Sequence, residues 1–248
     1  MIEVQNIAKS FGEVQAVRDV SFSAENGQIT TLLGANGSGK TTTFRAICGL
    51  MQADAGRVSI DGVQVSEEPV KAKEKLGVFP DSFGLYTRLT TREHIEYFGA
   101  MHGLRGVAMT DACDHLADVL KLHDIIDRRA EGFSQGQRMK VALARALVHS
   151  PKNMVLDEPA RGLDVMSIRM LRSVLKDLAA AGHCILLSSH VMAEVEYLSD
   201  KVVIIADGET VTEGSPADLV RRTGSDNLEE AFMHFIGSIE DASGKDAA

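Results

Sequence analysis

The sequence has 248 residues, of which 44% are hydrophobic and 25% charged, and its formal net charge is −9 at pH 7. This length supports a full core and favours one domain with a subdomain over two independent domains. The acidic balance argues against a nucleic-acid partner, and the three cysteines match no metal spacing. Since no signal-peptide core or membrane-length apolar run is present, we expect a cytoplasmic protein, with any membrane role supplied by a partner.

The first part of the chain predicts strands. Residues 3–8 and 14–22 alternate apolar and polar side chains, as half-buried antiparallel strands do. An apolar run at residues 29–33 predicts a buried strand, and residues 57–60 predict another that ends at a turn. The sequence therefore begins with an antiparallel unit.

A phosphate-binding pattern, G-x-x-x-x-G-K-[ST], occupies residues 34–41, between the strand at 29–33 and a predicted helix at 42–50. Backbone N–H groups and the helix N-terminus would converge on a phosphate chain. Lys40 can reach the β- and γ-phosphates, and the Thr41 hydroxyl can ligate Mg²⁺. The alternative, a glycine turn before a helix, is disfavoured by the full match. We predict that this chain binds a nucleoside triphosphate.

The remaining elements alternate between strands and helices. Short apolar runs predict central strands buried on both faces, at residues 76–79, 154–156, 185–187 and 202–205. A helix at residues 165–181 has apolar side chains at Val165, Ile168, Leu171, Leu175 and Leu178. Helical segments at 92–102, 111–122 and 135–148 predict a helical insertion, and residues 240–248 predict a frayed end. This order indicates an α/β fold with a largely parallel sheet.

Two carboxylates end the strand at residues 154–156. Asp157 at the end of a buried strand can hold Mg²⁺ beside the phosphate loop, directly or through water. Glu158 can act as the general base that polarises an attacking water. We predict a hydrolytic site.

A second helix start lies at residues 133–137. Ser134 and Gln137 form the S-x-x-Q pattern of a capping box, which is by itself sufficient reason for both residues. The same start exposes a second anion site. Two phosphate-binding helix starts in one chain suggest a dimer in which each copy completes the other's site.

In their order and spacing these motifs resemble the nucleotide-binding subunits of ABC transporters, over about residues 1–220. The resemblance implies a P-loop NTPase (RecA-like) core with an antiparallel β subdomain, spanning residues 1–225. A helical subdomain at about 90–149 is inserted, and residues 226–248 form a C-terminal helix and a frayed tail. It also implies ATP hydrolysis with Mg²⁺, a head-to-tail dimer around ATP and an integral membrane permease partner.

The resemblance assigns a role to individual residues. Phe11 would stack on adenine, although it could instead be a turn aromatic that packs on the core, and His190 would contact the γ-phosphate. The catalytic residues would be Glu158, His190 and Lys40, and the metal ligands Thr41, Asp157 and Asp81. ATP would be bound by Phe11, Gly34, Asn36, Gly37, Ser38, Gly39, Lys40, Thr41 and Thr42, with Ser134, Gly136, Gln137 and Asp164 of the other copy.

Three positions depart from the family pattern. Asp81 stands where a glutamine is usual, Gln135 replaces a signature glycine, and Arg161 replaces a serine or asparagine. A carboxylate at position 81 is a good ligand for a hard cation, but it would repel the γ-phosphate without the metal. Because Lys40, Glu158 and their neighbours are intact, we expect hydrolysis to survive.

Residues 81–90 and 162–167 resemble more specifically the ATPases of ABC-2 type exporters, sodium-efflux ATPases most of all. The stripe Phe83, Leu85, Tyr86 and Leu89 is either core or part of a groove for the permease. This implies a location on the cytoplasmic face of the membrane. The alternatives are a soluble ABC ATPase acting on ribosomes or DNA, and a P-loop GTPase or small-molecule kinase outside the family.

Overall fold

A computed structural model describes residues 1–243, and within this range one ten-stranded sheet runs through the molecule. The strands are β1 Ile2–Phe11, β2 Val14–Ala24, β3 Ile29–Leu33, β4 Ala55–Ile60, β5 Val63–Gln64, β6 Leu76–Phe79, β7 Asn153–Leu156, β8 Cys184–Ser189, β9 Lys201–Ala206 and β10 Glu209–Gly214. The helices are α1 Lys40–Ile47, α2 Pro69–Glu74, α3 Thr91–Met101, α4 Gly106–Val119, α5 Gln135–Leu147, α6 Val165–Ala180, α7 Met192–Leu198, α8 Pro216–Thr223 and α9 Leu228–Ser243.

The sheet has an antiparallel half and a parallel half. Its strand order is β5-β4-β1-β2-β10-β9-β3-β8-β7-β6. Strands β1, β2, β4 and β5 pair antiparallel, whereas β6, β7, β8, β3 and β9 pair parallel. The predicted mixed α/β fold with an antiparallel unit is confirmed. The parallel pairing brings the carboxyl ends of β3, β7 and β8 to one edge, where ligands bind in open α/β sheets.

Both faces of the parallel half are buried. On β7, Met154 and Leu156 join the core that packs against α3 to α6, whereas Val155 joins the core on the opposite face, with Phe44 of α1. Alternate side chains of a strand point to opposite faces, so a short wholly apolar run is what this position requires.

The helical prediction holds with local differences. Helices α3, α4 and α5 lie between β6 and β7, where three helical segments were predicted. Helix α1 begins at Lys40 and ends at Ile47, and it does not reach residue 50 because a turn with Gly49 at φ 61° follows. Val165 is 80% exposed, so its assignment to the buried apolar face of α6 was wrong. Val165 is the first residue of α6, and this end of the helix is exposed to solvent.

The C-terminal helix α9 packs beside α8 on one face of the sheet, over the central strands β9 and β3. Leu219 of α8 and Leu228 and Phe232 of α9 are buried in one cluster with Val202 and Ile204 of β9. The backbone is helical as far as Ser243, so the prediction of a frayed end from residue 240 was wrong for that part. The rest of that predicted end, residues 244–248, lies outside the described residues.

Candidate functional site

The loop that carries the phosphate-binding pattern, residues 34–41, connects β3 to α1 as predicted. Gly39 has φ 103°, and a Cβ atom there would lie 2.8 Å from the Ala16 carbonyl oxygen. At Gly34 a Cβ atom would lie 2.4 Å from the Ile205 carbonyl oxygen. Glycine is therefore required at both positions, because the loop runs against neighbouring backbone. Because this loop follows β3, the start of α1 lies at the carboxyl ends of the parallel strands, where β7 and β8 also end.

The Lys40 ammonium is held within this loop. It donates hydrogen bonds to the carbonyl oxygens of Gly34, at 2.7 Å, and Ala35, at 2.9 Å. Burial lowers the pKa of Lys40, and the nearby carboxylates of Glu158 and Asp157 oppose that shift. An anion at the loop would favour the charged ammonium further, which suits a phosphate-binding lysine.

Asp157 and Glu158 follow β7 and are linked through a serine that the sequence did not single out. The buried Ser188 hydroxyl donates to Asp157 Oδ1 at 2.6 Å and accepts from the Glu158 N–H at 2.8 Å. Burial raises the pKa of Asp157, the Ser188 hydrogen bond lowers it, and the charges of Asp81 and Glu158 raise it further. Ser188 thus holds the first carboxylate and the backbone of the second in fixed relation.

Glu158 also contacts His190. The distance between Glu158 Oε2 and His190 Nδ1 is 2.8 Å, and the His190 side chain is 54% exposed. Glu158 has φ 48°, a left-handed conformation that is uncommon for a residue other than glycine and that turns its side chain out of the strand direction. Two of the predicted catalytic residues therefore touch each other.

These groups share one cleft of about 570 Å³. Its lining comprises Val14, Gln15, Ala16, Asn36, Gly37, Gly39, Lys40, Thr41, Thr42, Asp81, Asp157, Glu158, Arg161 and His190. Gly34 and Ser38 are buried within the loop itself. Phe11 is 49% exposed and does not line the cleft, and its ring centroid lies 5.8 Å from the Lys9 ammonium. The cleft can therefore surround a polyphosphate with a lysine, carboxylates and a histidine.

The oxygen donors of the cleft fit Mg²⁺. Thr41, Asp81 and Asp157 offer a hydroxyl and two carboxylates, which are hard ligands. Within residues 1–243 no group of three or more His, Cys, Asp or Glu side chains is clustered to hold a metal. This donor set therefore suits an ion that takes its remaining ligands from phosphate oxygens and water.

The second helix start, that of α5, lies outside this cleft. Its predicted capping box is present, because the Ser134 hydroxyl accepts from the Gln137 N–H at 3.2 Å and Gln137 Oε1 accepts from the Ser134 N–H at 3.0 Å. A Cβ atom on Gly136 would lie 2.2 Å from the Ser167 hydroxyl oxygen. Asp164 caps α6 by accepting from the Ser167 N–H at 2.9 Å. Ser134, Gly136, Gln137 and Asp164 are thus one packed surface, separate from the cleft lining.

Comparisons with known proteins agree with this geometry. A family model described as ABC transporter matches residues 17–161, more than half of the chain. The chain belongs to the ABC transporter family. It is 37% identical to the ABC transporter ATP-binding protein NatA of Bacillus subtilis (strain 168), over 94% of this chain and 97% of that protein. The linearmycin resistance ATP-binding protein LnrL of the same organism is 34% identical, over 96% of this chain and 79% of that protein.

Solved structures of the family share the fold. One described as the ATP-binding subunit of an ABC transporter superposes with a TM-score of 0.87 at 28% identity, over 95% of this chain and 99% of that one. The dimeric cassette MJ0796 gives a TM-score of 0.78 at 25% identity, over 87% of this chain and 98% of that one. This chain is accordingly an ATPase, the ATP-binding subunit of an ABC transporter. Among residues 1–243 no helix is both long and apolar enough to span a membrane.

Proposed function

We propose that this chain hydrolyses ATP in the cleft of Lys40 and Glu158 to energise an ABC-2 type exporter, with sodium or another cation as the transported ion. The observation that carries the hydrolytic site is the Glu158–His190 contact of 2.8 Å in the cleft that Lys40 also lines. The exporter class is supported by the likeness to a Nod factor export ATP-binding protein of Burkholderia lata, which is 35% identical over 92% of this chain.

The residues of the cleft divide the chemistry among them. The N–H groups at the start of α1 and the Lys40 ammonium bind the β- and γ-phosphates. Thr41, Asp157 and Asp81 would hold Mg²⁺, which when bound would neutralise charge on the phosphate oxygens. Glu158 accepts a proton from the attacking water, and His190, hydrogen-bonded to Glu158, orients that carboxylate and meets the γ-phosphate.

In our proposal the surface at the start of α5 acts in a head-to-tail dimer. Ser134, Gly136 and Gln137 of one copy would meet the γ-phosphate bound in the cleft of the other, and Asp164 would couple the two sites. The proposal is supported by their position outside the cleft of their own subunit and by the dimeric state of MJ0796. Phe11, exposed at the end of β1, is left accessible for adenine stacking.

The proposed permease contact is an aromatic surface made by Tyr86, in the loop before α3, and Tyr97 of α3. Tyr86 is 51% exposed and its ring packs edge to face against Tyr97, at 5.8 Å between centroids. Phe83 and Leu85, in contrast, are partly buried against the core. The chain would thus lie on the cytoplasmic face of the membrane through its permease.

The test is reconstitution. The full chain is co-expressed with a candidate multi-span permease from the same genome, and the purified complex is placed in vesicles with the ATPase facing outward. We expect ATP-dependent uptake of ²²Na⁺ that Glu158→Gln abolishes. Uptake of an apolar drug without ²²Na⁺ would reject the cation assignment, whereas co-sedimentation with ribosomes and no permease complex would reject the exporter.

A further inference from the structure

Arg161 and Asp81 join two loops at the mouth of the cleft. Arg161 Nη1 donates to Asp81 Oδ1 at 3.0 Å, and the two side chains are 65% and 47% exposed. Asp81 follows β6 and Arg161 lies in the turn after β7, so 80 residues of chain separate them. Two of the three positions at which the sequence departs from the pattern of its family are therefore in direct contact.

This pair alters the charge of the cleft. Asp81, Asp157 and Glu158 bring three carboxylates to its lining, and Lys40 and Arg161 bring two cations. The charge of Asp81 is felt at Asp157, where after burial it is one of the causes that raise the pKa. If Arg161 were neutral, three carboxylates and one ammonium would face an entering polyphosphate, and like charges in a partly buried cleft repel.

The turn that carries Arg161 also carries Glu158. The Arg161 N–H donates to the Glu158 carbonyl oxygen at 3.1 Å. This hydrogen bond fixes the backbone position from which the Arg161 side chain extends. The next residue, Gly162, has φ 72°, and a Cβ atom on it would lie 3.7 Å from the Gln135 side-chain nitrogen at the start of α5. The ion pair thus connects the segment of Asp81 to the turn of Glu158.

We propose that Arg161 is a positioning residue of the nucleotide site, which neutralises and orients Asp81 so that the cleft accepts the anionic polyphosphate. This inference rests on the nucleotide site of the proposed function. An ion pair as exposed as this one contributes little to folding. Its effect should therefore appear in nucleotide affinity and be small in thermal stability.

The test is a double-mutant cycle on the full chain, with Arg161→Gln, Asp81→Asn and the double variant. Affinity for a fluorescent mant-ATP is measured with EDTA, which removes any effect of metal binding. Because one positive charge is lost from the lining of the cleft that would receive the phosphates, we expect Arg161→Gln to weaken binding about three- to tenfold. The double variant should return to within about twofold of wild type, since the unbalanced carboxylate is gone.

Two control variants separate a local effect from a change in net charge. Arg92 pairs with Asp127 at 2.9 Å on the surface, outside the cleft, so Arg92→Gln removes the same charge elsewhere and should leave affinity unchanged. Arg161→Lys keeps the charge and should retain most of the affinity.

The loss of mant-ATP affinity in Arg161→Gln should become smaller as salt is raised from about 0.05 M to 0.5 M, because the Debye length shortens. In steady-state kinetics KM should rise and kcat should stay within about twofold.

The inference is overturned if Arg161→Gln binds mant-ATP as wild type does. It is equally overturned if the double variant is as weak as Arg161→Gln, because Arg161 would then act on the phosphates without Asp81. Failure of the nucleotide site itself gives a different result, in which wild type binds no mant-ATP and Lys40→Ala changes nothing. Binding by wild type that depends on Lys40, together with wild-type affinity in Arg161→Gln or a double variant as weak as Arg161→Gln, would reject this inference alone.

Discussion

The starts of α1 and α5 are both suited to phosphate, but only one is equipped for chemistry within a single subunit. The start of α1 faces Lys40, Asp157, Glu158 and His190 in one cleft. At the start of α5, Ser134 and Gln137 bond to each other. The first region combines the groups that hydrolysis requires, and the second is a surface shaped by internal hydrogen bonds and packing. The difference shows that the cleft groups come together within one chain, whereas any role of the second surface in binding depends on the proposed dimer.

The reactive region is tested most strongly at Glu158. Glu158→Gln keeps the shape of the side chain and removes its basicity, so turnover should fall about 10²–10⁴-fold. Affinity for mant-ATP, measured in parallel, should be retained, which shows that the loss is chemical. Hydrolysis near the wild-type rate, in the presence of the permease, would reject Glu158 as the base.

Mixing two damaged chains tests whether the second surface acts on another copy. Lys40→Ala removes a phosphate contact and Ser134→Arg blocks the start of α5, so each variant alone should be inactive. In a head-to-tail heterodimer both lesions can fall on one composite site, leaving the other intact. The mixture should therefore hydrolyse more ATP than either component. If it never does, while wild-type chains associate under the same conditions, Ser134 has only its capping role.

Gly136 tests the packing of the second surface. A methyl group there would overlap the Ser167 hydroxyl, so Gly136→Ala should destabilise the protein by about 1–3 kcal/mol, measured by urea unfolding. Ser167→Ala in the same chain should recover part of the loss. The matched control is Gly237→Ala in α9, where nothing lies within 4 Å and the change should be neutral or slightly stabilising. Equal effects at both glycines would contradict close packing at α5.

A smaller effect is expected on acidification, away from both surfaces. His149 stacks on His102 at 3.6 Å between ring centroids. Burial, followed by the charge of His102, lowers the pKa of His149 to about 4, and burial also lowers the pKa of His102 against the opposing charge of Glu74. An unfolded histidine has a pKa of about 6.5, so between these values the unfolded chain binds more protons.

Stability is therefore fully present above about pH 6.5 and is lost as the pH falls toward 4. The unfolding temperature should drop between these values, and His149→Gln should reduce the drop by about 2–4 °C. The comparison is made by calorimetry of both proteins across the range. The same drop in both would show that other groups control the acid response.

Features that depend on residues close together in the sequence were predictable. The loop at residues 34–41, the wholly apolar strands and the capping box of Ser134 and Gln137 follow from local spacing, and each is present. Strand β10 was not predicted, because its sequence Glu-Thr-Val-Thr-Glu-Gly lacks a buried face. It pairs with β9 across the two-residue turn Asp207-Gly208, whose φ angles are 48° and 77°, so this Asp-Gly pair is the local hairpin signal from which the strand could have been predicted.

The sequence by itself determined the family, most of the strands and helices, and most candidate residues of the cleft. Tertiary structure alone decided that Ser188 bridges Asp157 and Glu158, and that Arg161 meets Asp81. Each of these contacts joins the ends of different strands. Such ends become neighbours only when β6, β7 and β8 pair in parallel, so their contacts depend on the strand order of the sheet and leave no periodic signal in the chain.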